Sequence, residues 1–124
     1  MVALHHIALG ASDVEEVARF YGEVFGLAEV DRHLDEAGRL RSIWLDLGGP
    51  ILMVERTEER RRRVEGVGAG PFLLAFCVSV EERPQVEERL EARGASIEDR
   101  TAYTSYARDP EGNRVAISHY PAQK

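Results

Sequence analysis

The sequence predicts an α+β fold in which one β-α-β-β-β module is written twice. Three observations carry this. His6-Ile7-Ala8-Leu9 followed by a helix ending at Gly26 is echoed by Leu73-Leu74-Ala75-Phe76 and a helix ending at Gly94. Each helix is followed by three short apolar runs of strand length, separated by turn residues. Strands alternating with helices at this spacing belong to a layered domain in which helices cover sheets. The 124 residues are enough for a single domain with its own core. We divide it into module 1 (1–57), a charged and glycine-rich linker (58–70) and module 2 (71–124).

The elements follow in order. Residues 3–10 are short and apolar, with Leu4, His6 and Ala8 on one side and Ala3, His5, Ile7 and Leu9 on the other. Ser12 with Glu15 three residues on reads as a capping box. Val14, Val17, Ala18, Tyr21, Val24 and Phe25 then form a helical apolar stripe, closed by Gly26. Leu27–His33, Leu40–Leu47 and Ile51–Val54 read as strands, joined by the turns Asp35–Gly38 and Gly48–Pro50. In module 2, Pro71–Val80 reads as a strand and Glu81–Arg93 as a helix, with Pro84 tolerated in its first turn. Ala95–Asp99, Ala102–Asp109 and Arg114–Tyr120 complete the repeat. Asp109-Pro110-Glu111-Gly112-Asn113 is a strong turn signal between the last two.

Composition excludes several classes. A net charge of −6 argues against a phosphate-binding footprint, so no nucleic acid is expected. The run Arg60–Arg63 is interleaved with Glu58, Glu59 and Glu65 and reads as a solvated face. No apolar stretch reaches the ~18 residues of a membrane span. The N-terminal residues lack the basic-then-apolar order of a secretory signal, and the expected compartment is the cytoplasm. Cys77 is the only cysteine, which excludes an internal disulfide and a cysteine-based zinc site.

Three segments carry a family resemblance: His5-His6-Ile7-Ala8-Leu9, the phrase from Ala18 to Leu27, and Tyr106 to Arg114. Together they resemble the vicinal oxygen chelate superfamily, which includes glyoxalases, bleomycin-resistance proteins, fosfomycin-resistance enzymes and extradiol dioxygenases. The resemblance implies that the two modules curl into a half-open mixed-sheet barrel around a ligand cavity, and that the chain is a homodimer. Family members with metal chemistry take ligands from the first, fourth, fifth and eighth strands. Those positions correspond here to His6, Met53, Leu73 and Ala116. A divalent cation that polarises vicinal oxygens needs hard O and N ligands, and three of these four are apolar or soft. No cofactor is therefore expected; a metal ion remains the alternative, with His6 as the one surviving ligand. A His5/His119 pair would require a register slip of one residue.

The candidate ligand-binding residues are His6, Trp44, Met53, Leu73, Ala75, Tyr106, Arg108 and Ala116, with His6 the candidate acid–base group. Met53, Leu73, Ala75 and Ala116 make a small apolar face suited to a hydrophobic small molecule. Tyr103 and Tyr106 have opposite parity, so at most one faces a cavity. Arg108 has two readings, an anion clamp or an ion pair with a neighbouring carboxylate. Three functions are open: sequestering or sensing an apolar compound, a metal-dependent lyase, isomerase or dioxygenase of glyoxalase type, and metal-free acid–base catalysis by His6. Fold resemblance does not choose among them.

Overall fold

The computed structural model describes residues 1–58 and 73–123. The chain divides into two compact units, Met1–Arg61 and Arg62–Lys124. The first contains β1 (His6–Ala11), α1 (Val14–Phe25), β2 (Glu29–Leu34), β3 (Leu40–Asp46) and β4 (Ile51–Arg56). The second contains β5 (Leu74–Cys77), α2 (Glu82–Ala92), β6 (Asp99–Arg100), β7 (Thr104–Arg108) and β8 (Arg114–Ser118). The sheets have strand orders β1-β4-β3-β2 and β5-β8-β7-β6. In each, the first strand pairs parallel with the last and the other pairs are antiparallel. The β-α-β-β-β repeat is thus present in both units, with the same topology.

Helix α1 forms where the apolar stripe predicts it. Val14, Val17, Ala18, Phe20, Tyr21 and Val24 are buried, and the helix packs on β3 and β4. Leu9, Ala11, Ile43, Leu45, Leu52 and Val54, alternate strand residues, are also buried and complete this unit's apolar core. The cap differs from expectation. Asp13, not Ser12, is the N-cap, because its extended backbone lets its carboxylate accept from the Glu16 N–H at 3.1 Å. Gly26 closes the helix at φ 72°, a left-handed geometry that glycine adopts without strain.

Helix α2 starts with a reciprocal capping box that the sequence reading missed. The Glu82 N–H donates to Ser79 Oγ at 3.0 Å, while the Ser79 N–H donates to Glu82 Oε1 at 2.8 Å. This box turns Ser79 toward the helix, so β5 stops at Cys77 rather than at the expected Val80. The sixth strand is also shorter than expected. It starts at Asp99 instead of Ala95: Asp99 and Arg100 pair with β7, the Glu98 N–H donates to the Tyr106 carbonyl at 2.9 Å, and Thr101 closes the hairpin just beyond. Its N–H donates to the Thr104 carbonyl at 2.8 Å and its Oγ1 accepts from the Thr104 N–H at 3.1 Å. The turn at 109–113 forms as expected: Asp109 Oδ1 accepts from the N–H groups of Glu111 and Asn113, both at 2.9 Å. The Arg60–Arg63 run, the Gly66–Gly70 segment and the expected strand start at Pro71 lie outside the described residues. Among the described residues, no helix is long and apolar enough to cross a membrane.

Candidate functional site

Side-chain alternation gives each sheet a face packed on its helix and a face turned away from it. In the first unit, Leu9, Val54 and Ile43 share a register row on the α1 side. The adjacent row, Ala8–Met53–Trp44–Asp31, belongs to the far face. Rows on either side carry Gly10–Glu55–Ser42–His33 and His6–Ile51–Asp46. The second unit repeats the arrangement. Phe76, Ile117 and Ser105 form an α2-side row, and Ala75–Ala116–Tyr106–Asp99 forms its far-side neighbour. Both far faces therefore present the same order: alanine, an apolar residue, an aromatic ring and an aspartate. Leu73 directly precedes β5, with the parity of Ala75.

Of the eight candidate residues, His6, Met53 and Trp44 fall on one far face. Ala75, Ala116, Tyr106 and Arg108 fall on the other by strand parity, with Leu73 beside them. His6 is exposed, and its Nδ1 lies 2.9 Å from Nδ1 of His5. One imidazole of that pair must donate and the other accept. Ala116 is 1% exposed. Arg108 has its side chain 5% exposed and engaged: Nε donates to Glu98 Oε1 at 3.0 Å, and NH1 donates to the Gly112 carbonyl at 3.1 Å. The Arg114 guanidinium lies 5.8 Å from the centre of the Tyr106 ring, a cation–π distance. Tyr103 precedes β7 and packs edge-on against His119 and Tyr120.

His119 lies on the opposite side of its sheet from Ala116. Arg83 NH1 donates to its Nε2 at 3.0 Å, and its Nδ1 is 2.6 Å from the Ala122 carbonyl. Since arginine only donates, His119 carries its proton on Nδ1. Both ring nitrogens are engaged within its own unit. Among the described residues, no three of histidine, cysteine, aspartate and glutamate come together as a metal cluster.

Sequence reasoning missed His33. Its ring packs against Trp44 at a tilt of 51° with centroids 4.7 Å apart, and its Nε2 lies 3.3 Å from Asp31 Oδ2 without hydrogen-bond alignment. Trp44 Nε1 and His33 Nε2 are both shielded from solvent and have no hydrogen-bond partner. A signal was present. Closing the hairpin at Asp35–Gly38 brings His33 opposite Ser42, diagonal to Trp44. A separate cleft of about 270 Å³ lies on the α1 side, lined by Glu15, Arg19, Glu23, Glu29 and Leu45 among others. None of the eight candidates lines it.

The comparisons with known proteins agree on one fold. Residues 3–117 match the family model described as the Glyoxalase/Bleomycin resistance protein/Dioxygenase superfamily. A search of curated protein sequences gave no match. Among solved structures, the chain is similar to a variant of the fosfomycin resistance protein FosX from Listeria monocytogenes, complexed with Mn(II) and 1S,2S-dihydroxypropylphosphonic acid. The TM-score is 0.80 at 19% identity, covering 96% of this chain and 93% of that one. It is also similar to FosX from Mesorhizobium loti, with a TM-score of 0.79 at 17% identity, covering 96% and 93%. Lactoylglutathione lyase from Agrobacterium tumefaciens matches with a TM-score of 0.67 at 25% identity, covering 94% and 92%.

Proposed function

The chain belongs to the Glyoxalase/Bleomycin resistance protein/Dioxygenase superfamily, and from that premise we propose that it binds a small apolar molecule without the divalent metal of its metal-dependent relatives. It would sequester or sense that compound as a cytoplasmic homodimer. The observation that supports this reading is the matched pair of register rows, Ala8–Met53–Trp44 and Ala75–Ala116–Tyr106. Each row offers alanine, which lets a ligand approach the backbone, and an aromatic ring for a ligand to lie against. Leu73 extends the second row's face, and Arg108, held by Glu98, borders it.

The four positions that the family resemblance assigns to metal ligands hold His6, Met53, Leu73 and Ala116. Two hydrocarbon side chains and a thioether do not suit a hard divalent cation. Elemental analysis of untagged protein tests this reading. We expect no stoichiometric metal, together with saturable binding of an apolar aromatic compound. A stoichiometric divalent metal that disappears in His6→Ala would overturn it in favour of a glyoxalase-type enzyme.

The His5–His6 contact of 2.9 Å supports a second reading, metal-free acid–base catalysis. With Nδ1 of His6 occupied by His5, its Nε2 is the nitrogen left for a ligand. Turnover that persists in chelator and vanishes in His6→Ala would establish this reading. Turnover unchanged in His6→Ala would exclude it.

A further inference from the structure

The far face of the first sheet holds two shielded polar atoms that its own side chains leave without a hydrogen bond, and both belong to one pair of rings in tilted contact. Trp44 Nε1–H is shielded from solvent without an acceptor; Nε2 of His33, whose ring lies 4.7 Å away, is shielded too and meets only Asp31 Oδ2 at 3.3 Å, without hydrogen-bond alignment. A shielded donor without an acceptor costs on the order of 1–3 kcal/mol, and native proteins rarely leave one in place. The indole is fixed within the apolar row Ala8–Met53–Trp44. It therefore combines a flat apolar surface with a single donor at its edge.

The charges on that face restrict what the donor can meet. Asp31 stands beside Trp44 in the row, and Asp46 and Glu55 stand in the rows on either side. Strand alternation places Arg32, Arg41 and Arg56 on the α1 side. There Arg32 pairs with Glu15 and Glu29, and Arg56 pairs with Asp35. Among the described residues of these strands, the carboxylates on this face have no arginine beside them, and such a face repels an anion.

We propose that Trp44 Nε1–H and the covering ring of His33 form a hydrogen-bonding subsite for an uncharged planar apolar ligand that bears a carbonyl-type oxygen. The ligand's ring lies along the apolar row, and its oxygen accepts from the indole as His33 turns aside. His33, with its side chain 43% exposed, is the outer member of the pair. This subsite rests on the small-molecule-binding reading above and specifies the class of molecule.

A matched set of probes separates the two ideas. Binding of 2-acetylnaphthalene, 2-ethylnaphthalene and 2-naphthoate is measured calorimetrically on the whole chain. The ketone should bind about tenfold more tightly than the ethyl compound, the scale of one hydrogen bond to an otherwise unpaired donor. That preference should fall to about one in Trp44→Phe, which keeps a ring and removes the N–H, and should survive in His33→Ala. Trp44 is the only tryptophan, so the single indole N–H resonance of the unaltered chain provides an independent readout. It should move downfield with the ketone and not with the ethyl compound.

Equal binding of ketone and ethyl compound, or a preference that survives Trp44→Phe, would overturn the subsite while leaving the binding function standing. Loss of the preference in His33→Ala, or an unmoved indole resonance, would do the same. Tighter binding of the naphthoate than of the ketone would overturn the assignment of an uncharged ligand. Binding of none of the three would overturn both the subsite and the binding reading on which it rests.

Discussion

Arg83 and His119 meet at 3.0 Å across the α2 side of the second sheet, the guanidinium donating to the imidazole Nε2. The same guanidinium donates to the carbonyls of Thr101, Ala102 and Thr104 and to Ser105 Oγ, all at 2.9–3.1 Å. One side chain from the first turn of α2 thereby satisfies acceptors around the β6–β7 hairpin and at the end of β8. A rigid fork of donors can do this; a single ammonium cannot reach so many acceptors at once.

Removing that fork leaves several acceptors without a donor. Arg83→Met should destabilise the protein by roughly 2–4 kcal/mol, the scale of breaking a part-buried polar network. Arg83→Lys should recover only part of this. Urea unfolding followed by circular dichroism would check it. A loss under about 0.5 kcal/mol, typical of an exposed surface change, would show that water replaces the network without cost.

Glu87 gives the protein an acid-sensitive contact. The hydrogen bond from Arg100 at 2.8 Å is the main influence holding its carboxyl below the usual range, with Ser105 adding to it against the opposing effect of burial. The folded state therefore holds this proton less tightly than the unfolded chain, whose glutamates titrate near pH ~4.3. The stability from Glu87 is fully present above that pH and is lost as pH falls through the lower folded-state value. Acid titration of stability should be shallower below pH ~4.3 in Glu87→Gln than in the unaltered protein. Identical slopes would remove Glu87 from the account.

The box between Ser79 and Glu82 should be measurable by itself. Ser79→Ala removes the side-chain acceptor for the Glu82 N–H and should cost about 1 kcal/mol, the usual value for losing such a cap. Glu82 is also held below its ordinary range, chiefly by the Ser79 N–H. The cost of Ser79→Ala measured by denaturation should therefore shrink as the pH drops and Glu82 protonates. A cost independent of pH would mean that the two halves of the box do not cooperate.

Glycines at two positions test different physics. Gly26 has φ 72° and open space where a Cβ would sit, so Gly26→Ala should cost about 1 kcal/mol from backbone strain alone. At Gly10 a Cβ would come 3.1 Å from the Thr57 methyl. Gly10→Ala in a Thr57→Ser background should thus be milder than in the unaltered chain. Equal costs in the two backgrounds would show that Thr57 is not the obstacle.

The sequence made the repeated module legible because its signals are local. Apolar alternation marks strands, the stripe from Val14 to Val24 marks a helix, and Gly26, Gly94 and the Asp109–Asn113 turn mark stops. Parity alone set His119 apart from Ala116, while the pairing of Met53 with Trp44 and of Ala116 with Tyr106 came from the register. One error is a local competition between neighbours, Asp13 outcompeting Ser12 as cap; another is the sixth strand, which starts at Asp99 instead of Ala95. The candidate site was legible only where its residues shared a strand face with a family position. His33 escaped because its importance depends on a partner eleven residues away.

The sequence by itself determined the β-α-β-β-β repeat and the residue types that stand at positions 6, 53, 73 and 116. The repeat follows from residue types at fixed periods along the chain. The tertiary structure alone decided that His5 meets His6, that Arg108 is spent on Glu98, and that Arg83 fixes the tautomer of His119. It alone placed His33 against Trp44 with both nitrogens unsatisfied. The physical reason is range: periodicity sets which face a side chain occupies, but pairing register and side-chain packing set which neighbour it meets there.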